Sequence, residues 1–316
     1  MRAARKYASA GVLAVMLAFT ASPAIADEPL FGFVYTTDLL PKDKFEVEQW
    51  LTWRAGKGVG TFNVLEVRHE FEYGLSDALQ VSGYINWEWA GARNNNVIDG
   101  STLPPETFAN VEVPPSGDFN VTKFTGISGE AIYRILSPYI DGIGLALYVE
   151  PTIGPQLREL ESRIILQKNF LDDRLVFSFN VTHAMEWRYL HGDPGALPTD
   201  EEFLDHWDKE TDINFAIAGS YRFASNWSAG LEVTNEREWA GFDPFNSSMR
   251  TNVGYYFGPS LHYADEHMFA TLTVLEQMPW GAKDYANPAP GFVFGGRNYA
   301  DDFERFRVRL KFGYYF

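Results

Sequence analysis

The sequence contains no cysteine among its 316 residues. Disulfides and thiolate metal sites are therefore excluded, and no cysteine is present to carry a lipoprotein anchor. Basic residues are also scarce, with 26 Lys and Arg against 42 Asp and Glu and a formal net charge of −16. So acidic a chain is a poor candidate for nucleic-acid binding, which needs cationic surface to displace the counterions of phosphates.

Long apolar runs are missing as well. A short one, Ala10 to Phe19, follows a few basic residues and precedes the small-residue site Ala24-Ile25-Ala26. These three parts predict a secretory signal peptide over residues 1–26. The run is too short to span a membrane core of about 30 Å. Later apolar runs such as Ile143 to Val149 are shorter still, so helical membrane spans are excluded.

Aromatic residues are abundant, at 16% of the chain, and they recur with a period of two. From Phe45 to Trp53, mostly apolar residues alternate with polar ones, and Leu65 to Tyr73 and Leu79 to Trp89 repeat the pattern. Because a β-strand turns successive side chains to opposite faces, each segment has one apolar and one polar face. The period of two, rather than 3.6, predicts strands and not helices.

The pattern continues along the chain and predicts an all-β fold, a transmembrane antiparallel up-and-down β-barrel of about twelve strands. The segments are long enough to cross a membrane at a tilt. Residues 27–316 would form this single domain, with 27–41 as a periplasmic N-terminal segment. The candidate strands are 42–54, 61–73, 79–89, 121–135, 143–153, 159–170, 175–189, 208–223, 227–239, 250–263, 268–278 and 302–316.

The predicted connections alternate between short and long. Residues 74–78 form one of the short turns, whereas 90–120 form one of the long loops. This asymmetry is typical of outer-membrane barrels, and an even number of strands puts both termini on the short-turn side, which is predicted to be periplasmic. A soluble sandwich or lipocalin-like barrel would explain neither the loop alternation nor the aromatic residues at the strand ends. The predicted location is therefore the bacterial outer membrane, with its lipid and lipopolysaccharide as partners.

The last strand alternates apolar and aromatic residues up to Tyr314 and Phe316. This pattern resembles the signal by which the barrel-assembly machinery recognises bacterial outer-membrane proteins, and the resemblance implies that this machinery is a partner.

The alternate residues of the last strand are basic. At closure of the barrel, this inward stripe is expected to face the acidic first strand, since opposite charges are favourable cross-strand neighbours. The basic residues are Arg307, Arg309 and Lys311, and the expected acidic partners are Glu46 and Glu48.

The inner face carries charges of both signs. Twelve strands about 4.8 Å apart and tilted near 40° give a backbone diameter of roughly 24 Å. Two hypotheses remain open: a mildly cation-preferring channel or transporter for small solutes or ions, or a structural or adhesive barrel with a salt-bridged, filled lumen. The predicted lumen-lining residues are Glu46, Glu48, Glu66, Arg68, Glu70, Glu130, Arg134, Glu150, Arg163, Glu186, Arg188, Glu232, Arg307 and Arg309.

A membrane-embedded lipid hydrolase is a third hypothesis. His69 and His183 fall on the lipid-facing side, which is unusual for histidine in lipid. A nucleophilic serine at two-residue spacing on that face is missing, and Ser162 on a neighbouring strand cannot be aligned from the sequence. The sequence therefore predicts no enzymatic chemistry, no cofactor and no metal site.

Three stretches carry a family resemblance: Phe31 to Lys42 (FGFVYTTDLLPK), Arg68 to Leu75 (RHEFEYGL) and Ala131 to Arg134 (AIYR). They resemble uncharacterised proteobacterial outer-membrane barrels of unknown function, which are porin-like. The resemblance implies the fold and the location. It implies no substrate and no catalytic residue.

Overall fold

A computed structural model gives the structure of the protein. The predicted signal peptide, residues 1–26, lies outside the described part of the chain. The structure describes residues 29–94, 117–192, 197–199, 203–279, 283–284, 292–300 and 303–316.

The described chain is almost entirely β-structure. All twelve predicted strands are present, with ends that differ by a few residues, so the predicted fold class is confirmed. Within the described residues, no helix is long and apolar enough to cross a membrane. The long strands are β1 Phe45–Ala55, β2 Thr61–Ser76, β3 Leu79–Arg93, β4 Phe119–Leu136, β5 Gly144–Ile153, β6 Leu157–Phe170, β7 Leu175–Leu190, β8 His206–Ala224, β9 Trp227–Ala240, β10 Arg250–Ala264, β11 Met268–Gln277 and β15 Phe306–Tyr315. The short elements include β12 Lys283–Asp284, β13 Phe292–Phe294, β14 Arg297–Tyr299 and the 3-10 turn Ser247–Met249.

The sheet closes into a barrel. Each long strand pairs antiparallel with its neighbour in the chain, and β15 lies between β11 and β1. Leu310 of β15 is opposite Leu51 of β1 on one side and Leu272 of β11 on the other. Closure matters because lipid offers no hydrogen-bond partner to an open strand edge.

The barrel has two chemically different faces. Apolar side chains on the outer face stay exposed, among them Ile164 at 48% and Leu231 at 53%. Aromatic residues such as Trp53 and Trp227 are exposed near the strand ends. A continuous apolar belt with aromatic ends is the surface that a barrel presents to lipid.

The predicted pairing of charges across the closure is wrong for Arg307 and Arg309, whereas Lys311 does interact electrostatically with Glu48. The register puts Glu46 opposite Tyr315 and Glu48 opposite Gly313. The basic stripe lies further toward the long loops, because β15 pairs along the whole of β1 and its basic residues come early. A two-residue period sets the face of each residue but not its partner across the seam. In register, Arg307 meets Arg54, Arg309 meets Thr52 and Lys311 meets Trp50.

A substitution on the outer face tests whether the apolar side chains of the strands face lipid. Ile164 lies midway along β6, so Ile164→Arg is expected to lower the free energy of unfolding in lipid vesicles by about 2–4 kcal/mol, the cost of an arginine at the bilayer midplane. Urea unfolding followed by tryptophan fluorescence measures it.

The matched control is Ile153→Arg at the long-loop end of β5, where the cost falls to about 0–1 kcal/mol. Equal effects at the two positions would contradict a lipid-facing belt.

Candidate functional site

The N-terminal segment lies inside the barrel. The periplasmic position expected for residues 27–41 is therefore corrected for residues 29–40. Phe31 is 0% exposed and Leu39 2% exposed, which a solvated tail would not allow. The physical reason is that the apolar side chains become buried while the main chain finds polar partners on the inner wall. We call residues 29–40 the inner segment.

Glu232 of β9 is the most heavily used of these partners. Its two carboxylate oxygens accept hydrogen bonds from the amides of Gly32 and Phe33, each at 2.8 Å. The Thr273 hydroxyl donates to the same carboxylate at 2.7 Å. A Cβ atom at Gly32 would come within 2.7 Å of Cβ of Thr273, so the close approach requires glycine. Hydrogen bonds to an ionised acceptor are about twice as strong as neutral ones.

Uncharged side chains bind other main-chain groups of the inner segment. The side chain of Asn180 accepts a hydrogen bond from the Tyr35 main-chain amide at 2.7 Å and donates one to the Tyr35 carbonyl at 2.9 Å. It thus replaces the two hydrogen bonds that a residue of a neighbouring strand would make. The Thr37 amide donates to Gln167 at 2.6 Å. We call the wall residues that accept hydrogen bonds from the main-chain amides of this segment the anchors: Gln80, Gln167, Asn180, Glu232 and Thr273.

Apolar contacts complete the docking. Phe31 and Val34 are buried against Ala218 of β8. Leu39 belongs to a second cluster, and Tyr35 packs against it. The wall residues of this second cluster are Ile132, Ala146, Tyr148 and Ile165.

Asp38 is a buried carboxyl within the inner segment. Burial raises its pKa, although hydrogen bonds from Tyr139 at 2.9 Å and Gln167 at 3.1 Å act in the other direction. A carboxyl with a raised pKa is preferred in its protonated form by the folded state. Its contribution to docking is therefore fully present at low pH and is lost as the pH rises through the folded-state pKa.

Residues 300, 303 and 304, which precede β15, also lie inside the barrel, at its opposite end. Gln277 accepts a hydrogen bond from the Ala300 amide at 2.8 Å. The Tyr256 hydroxyl donates to the Glu304 carbonyl at 2.6 Å. Phe303 packs beside Tyr256, with ring centroids 6.5 Å apart. These residues therefore cover part of the mouth on the long-loop side.

Ion pairs link this part of the chain to the wall. Arg54 lies 3.2 Å from Glu304 and 2.8 Å from Glu66, and Arg307 pairs with Glu236. Burial alone would raise the pKa of Glu304, but Arg54 and Arg307 hold it below its ordinary value. Removing one partner of such a buried pair typically costs about 3–5 kcal/mol, because the other charge stays buried.

The lumen thus has two zones. Near the short turns its carboxylates are dry, with Glu70 and Glu232 both 0% exposed. Toward the long loops its side chains reach water, with side-chain exposures of 27% for Glu66 and 25% for Arg188. We call this wetter half, lined by Glu66, Arg163, Glu186, Arg188 and Glu210, the vestibule.

The residues predicted to line the lumen all lie on the inner face of the barrel, and their role in transport stays a prediction. Glu46, Glu48, Glu70 and Glu232 lie in the dry zone. Tyr84 donates to Glu130. Arg134 donates to the Thr37 carbonyl of the inner segment at 3.3 Å. The remaining predicted residues form the ion pairs Arg68–Glu150, Arg163–Glu161, Arg188–Glu186, Arg188–Glu210, Arg307–Glu236 and Arg309–Glu66.

Sequence reasoning missed the neutral anchors. Gln80, Gln167 and Asn180 lie on polar faces that were assigned correctly, but no charge or motif distinguishes them from other polar wall residues. A signal was present in the inner segment itself. Apolar residues such as Phe31 and Leu39 do not belong in a solvated tail.

The lipid-facing Ser162 and His183 do not form a catalytic serine–histidine pair. Ser162 is directly opposite His183 in register, but its hydroxyl donates to the main-chain carbonyl of His183 at 3.3 Å and not to the imidazole. A serine nucleophile needs a hydrogen bond to its base. His69 is opposite Gln49, whose amide is bound to the Arg68 carbonyl at 2.8 Å.

The predicted assembly residues lie at the closure. Phe316 donates its amide to the Phe45 carbonyl at 2.9 Å, and its ring lies 5.1 Å from that of Tyr314. Their recognition by the assembly machinery stays a prediction.

A closed antiparallel barrel with an apolar outer belt and a polar interior is the architecture of outer-membrane β-barrel proteins, and this chain is one of them. A family model matches residues 23–316, and the chain belongs to that family, DUF6662, described as a family of unknown function. No curated protein matches the sequence.

Solved structures with the same architecture include the COG4313 outer membrane channel from Pseudomonas putida F1. It has 11% identity and a TM-score of 0.53, and the match covers 89% of this chain and 98% of that one. The NanC porin has 10% identity and a TM-score of 0.45, with coverage of 85% and 98%. At such identities the likeness to the first structure shows the fold alone, and the weaker second match adds no argument.

The docking of the inner segment is testable at Glu232. Glu232→Ala removes the acceptor of two main-chain amides, and each hydrogen bond to a charged group contributes about 1.5–3 kcal/mol. Hydrogen exchange at the amides of Gly32 and Phe33 is expected to become faster by roughly tenfold or more, since about 1.4 kcal/mol corresponds to a factor of ten.

The control is Glu276→Ala, which removes a carboxylate with 43% side-chain exposure that lies on the outer face. Unchanged protection of Gly32 and Phe33 in the Glu232 variant would show that Glu232 does not hold the segment.

Proposed function

We propose that the protein is an outer-membrane channel for small polar solutes or ions, and that the inner segment closes its lumen. The observation that carries this proposal is the contrast between the two zones. A water-accessible, charged vestibule leads to a zone that is filled by a segment of the chain outside the strand ladder. The channel fold of the Pseudomonas putida relative is consistent with it.

The way in which the inner segment is held supports a removable closure. Its main-chain groups bond to side chains, such as Asn180 and Gln167, and not to strand backbones. The ladder of the barrel is therefore complete without it. Each hydrogen bond that is exchanged for water costs only about 0.5–1.5 kcal/mol net. The segment can leave without opening the wall.

A preference for cations is part of the proposal. Glu159 and Glu186 are opposite each other on β6 and β7, at the level of the vestibule. Glu186 shares Arg188 with Glu210, so carboxylates outnumber guanidinium groups on this wall. A ring of carboxylates favours cations in a narrow pore.

The rival function is a structural or adhesive barrel with a permanently filled lumen. The buried ion pairs of Arg54 and Arg307 favour it, because they rigidify the wall near the long loops. The two functions differ in what the inner segment does, and conductance separates them.

Contacts with membrane components are also proposed. Arg158 and Lys209 are exposed on the outer face at the long-loop end and lie beside the rings of Trp207 and Phe242, at 4.5 and 5.7 Å. Cations among interfacial aromatics suit the phosphates of lipopolysaccharide. Strand β15 would be the part that the assembly machinery recognises.

Locking the inner segment tests the closure. The sequence lacks native cysteines, and a Cβ atom at Gly144 would touch the Thr37 hydroxyl. In the double variant Thr37→Cys, Gly144→Cys, the oxidised protein is expected to show almost no single-channel conductance in planar bilayers. Addition of a reductant to the same channel is expected to restore it.

The two single-cysteine variants are the controls and should not respond to the reductant. Absence of conductance in the wild type and in the reduced variant at every voltage would refute the channel. Equal conductance in the oxidised and reduced states would leave a channel whose closure does not depend on the inner segment.

The cation preference has its own measurement. In a potassium chloride gradient, the reversal potential of the wild type is expected to indicate cation preference, and Glu159→Gln with Glu186→Gln is expected to reduce it. Glu276→Gln, which neutralises an outer-face carboxylate, should leave it unchanged. An anion preference in the wild type would contradict the proposal.

A further inference from the structure

Two arginines of the wall lie at the boundary between the vestibule and the dry zone. Arg163 belongs to β6 and Arg309 to β15, and these strands are six places apart in either direction around the ring of long strands. The two side chains therefore enter the lumen from opposite walls. Their side-chain exposures are 11% and 16%, so both are largely buried.

Arg163 contacts the inner segment at Tyr35. Its guanidinium carbon lies 4.3 Å from the centroid of the Tyr35 ring. Nη1 of the same group lies 3.5 Å from the side-chain oxygen of Asn180, the anchor that binds both main-chain groups of Tyr35. A guanidinium group is attracted to an aromatic face, and the attraction is larger when both are removed from water. Arg163 thus holds the ring of Tyr35 and adjoins the anchor of its main chain.

Arg309 repeats this arrangement from the other wall. Its guanidinium carbon lies 4.2 Å from the centroid of the Phe33 ring, and its Nη1 donates to the Gly32 carbonyl at 3.1 Å. Phe33 and Tyr35 are two residues apart in the inner segment. Two guanidinium groups from opposite walls therefore hold one short stretch of chain between them. We call Arg163 and Arg309 the arginine clasp.

Each arginine of the clasp also reaches a carboxylate of the vestibule side. Arg163 donates to Glu161 at 2.7 Å, and Glu161 is its one ion-pair partner in the described part of the chain. Arg309 lies 3.9 Å from Glu66, which is also paired with Arg54 at 2.8 Å. The side chains of Glu161 and Glu66 are 19% and 27% exposed. The contacts of the clasp thus extend from the inner segment to carboxylates that water reaches.

We propose that the arginine clasp is the latch of the inner segment, and that Glu161 controls it from the vestibule. Removal of one partner of a buried ion pair is strongly unfavourable, because the other charge stays buried. A guanidinium group that loses Glu161 therefore has to turn toward water, and it then leaves the Tyr35 ring and Asn180. The charge state of the vestibule is in this way coupled to the docking of the inner segment.

The latch rests on the proposed closure for its meaning in transport, and it gives the cation preference a second role. A cationic solute that pairs with Glu161 competes with Arg163 for the same carboxylate. A ligand that binds the released state better than the docked state shifts the equilibrium toward release. Entry of a solute with an ammonium or guanidinium group into the vestibule thus favours opening of the path ahead of it.

Hydrogen exchange at the amides of Phe33 and Tyr35 tests the latch in the full chain, refolded in detergent. Arg163→Met removes the charge and is expected to speed exchange at Tyr35 by roughly tenfold. Arg309→Met is expected to do the same at Phe33. Amides of β6 should keep their protection, since the wall stays folded. Arg163→Lys keeps a cation near the ring and is expected to restore most of the protection at Tyr35.

Glu161→Gln tests the control from the vestibule. It is expected to speed exchange at Tyr35 in the wild type and to have no further effect in Arg163→Met, because a residue that acts through Arg163 loses its influence with it. Agmatine, which carries a guanidinium and an ammonium group, is expected to speed exchange at Tyr35 in the wild type and not in Glu161→Gln. Sodium chloride at the same ionic strength should not reproduce its effect.

The matched control is Arg188→Met, which removes a vestibule guanidinium group whose ion-pair partners Glu186 and Glu210 both belong to the wall. Exchange at Tyr35 should stay unchanged in this variant. If Arg163→Met does not fold, Tyr35→Leu removes the ring without touching the wall and is expected to give the same faster exchange, whereas Tyr35→Phe should not.

Three outcomes would overturn the proposal. The first is unchanged exchange in the arginine variants, or in Tyr35→Leu where it replaces Arg163→Met. The second is an effect of Glu161→Gln that is equally large with and without Arg163, and the third is an absence of any response to agmatine. A wild type without conductance would instead refute the channel and leave these exchange rates, and with them the latch, as they are.

Discussion

The structure depends on one constraint, which is that lipid forms no hydrogen bonds with a main chain. Every strand must therefore pair on both sides, and the ring must close, as it does where β15 joins β11 and β1. The period of two follows from the same constraint, because one face of each strand meets lipid and the other does not. Most polar side chains of the strands are then directed to the interior, and the interior has to accommodate them.

The barrel accommodates that polarity differently at its two ends. Near the long loops, buried charges are paired with each other, as in the pairs of Arg307 with Glu236 and of Arg54 with Glu304. Near the short turns, the wall presents acceptors such as Glu232 and Asn180, and the protein supplies its own main chain as the donor. Polar side chains that would make a pore wall hydrophilic, the Glu232 carboxylate among them, thus become binding sites for residues 29–40.

Some features of the structure could be predicted from the sequence, and others could not. Strand positions and the two faces were predictable, since alternation along residues 45–53 or 79–89 is a local property of the sequence. The partners of each inner residue were not, because they depend on register and on long-range contacts. Arg307 was expected to face the acidic stripe of Glu46 and Glu48 and instead pairs with Glu236, which is 71 residues away in the chain. The docking of Phe31 beside Ala218 was equally invisible to a periodicity that begins at the first strand.

A filled lumen can be closed permanently or can open. Which of the two applies depends on the relative stability of the buried ion pairs and of the hydrogen bonds that hold the inner segment. Breaking a buried ion pair by removing one partner costs about 3–5 kcal/mol, because it leaves a bare charge. Withdrawing the inner segment leaves hydrogen bonds that water can replace, at about 0.5–1.5 kcal/mol each. Exposing a side chain such as Phe31 or Leu39 costs about 1.5–3 kcal/mol, but each residue released regains about 1–2 kcal/mol of backbone entropy. For the inner segment, the contact energy lost on withdrawal and the backbone entropy regained are of similar size. For the ion pairs of Arg54 and Arg307, no such gain in entropy offsets the loss. In the proposed channel, the wall near the long loops is therefore the fixed part of the lumen, and residues 29–40 are the part proposed to move.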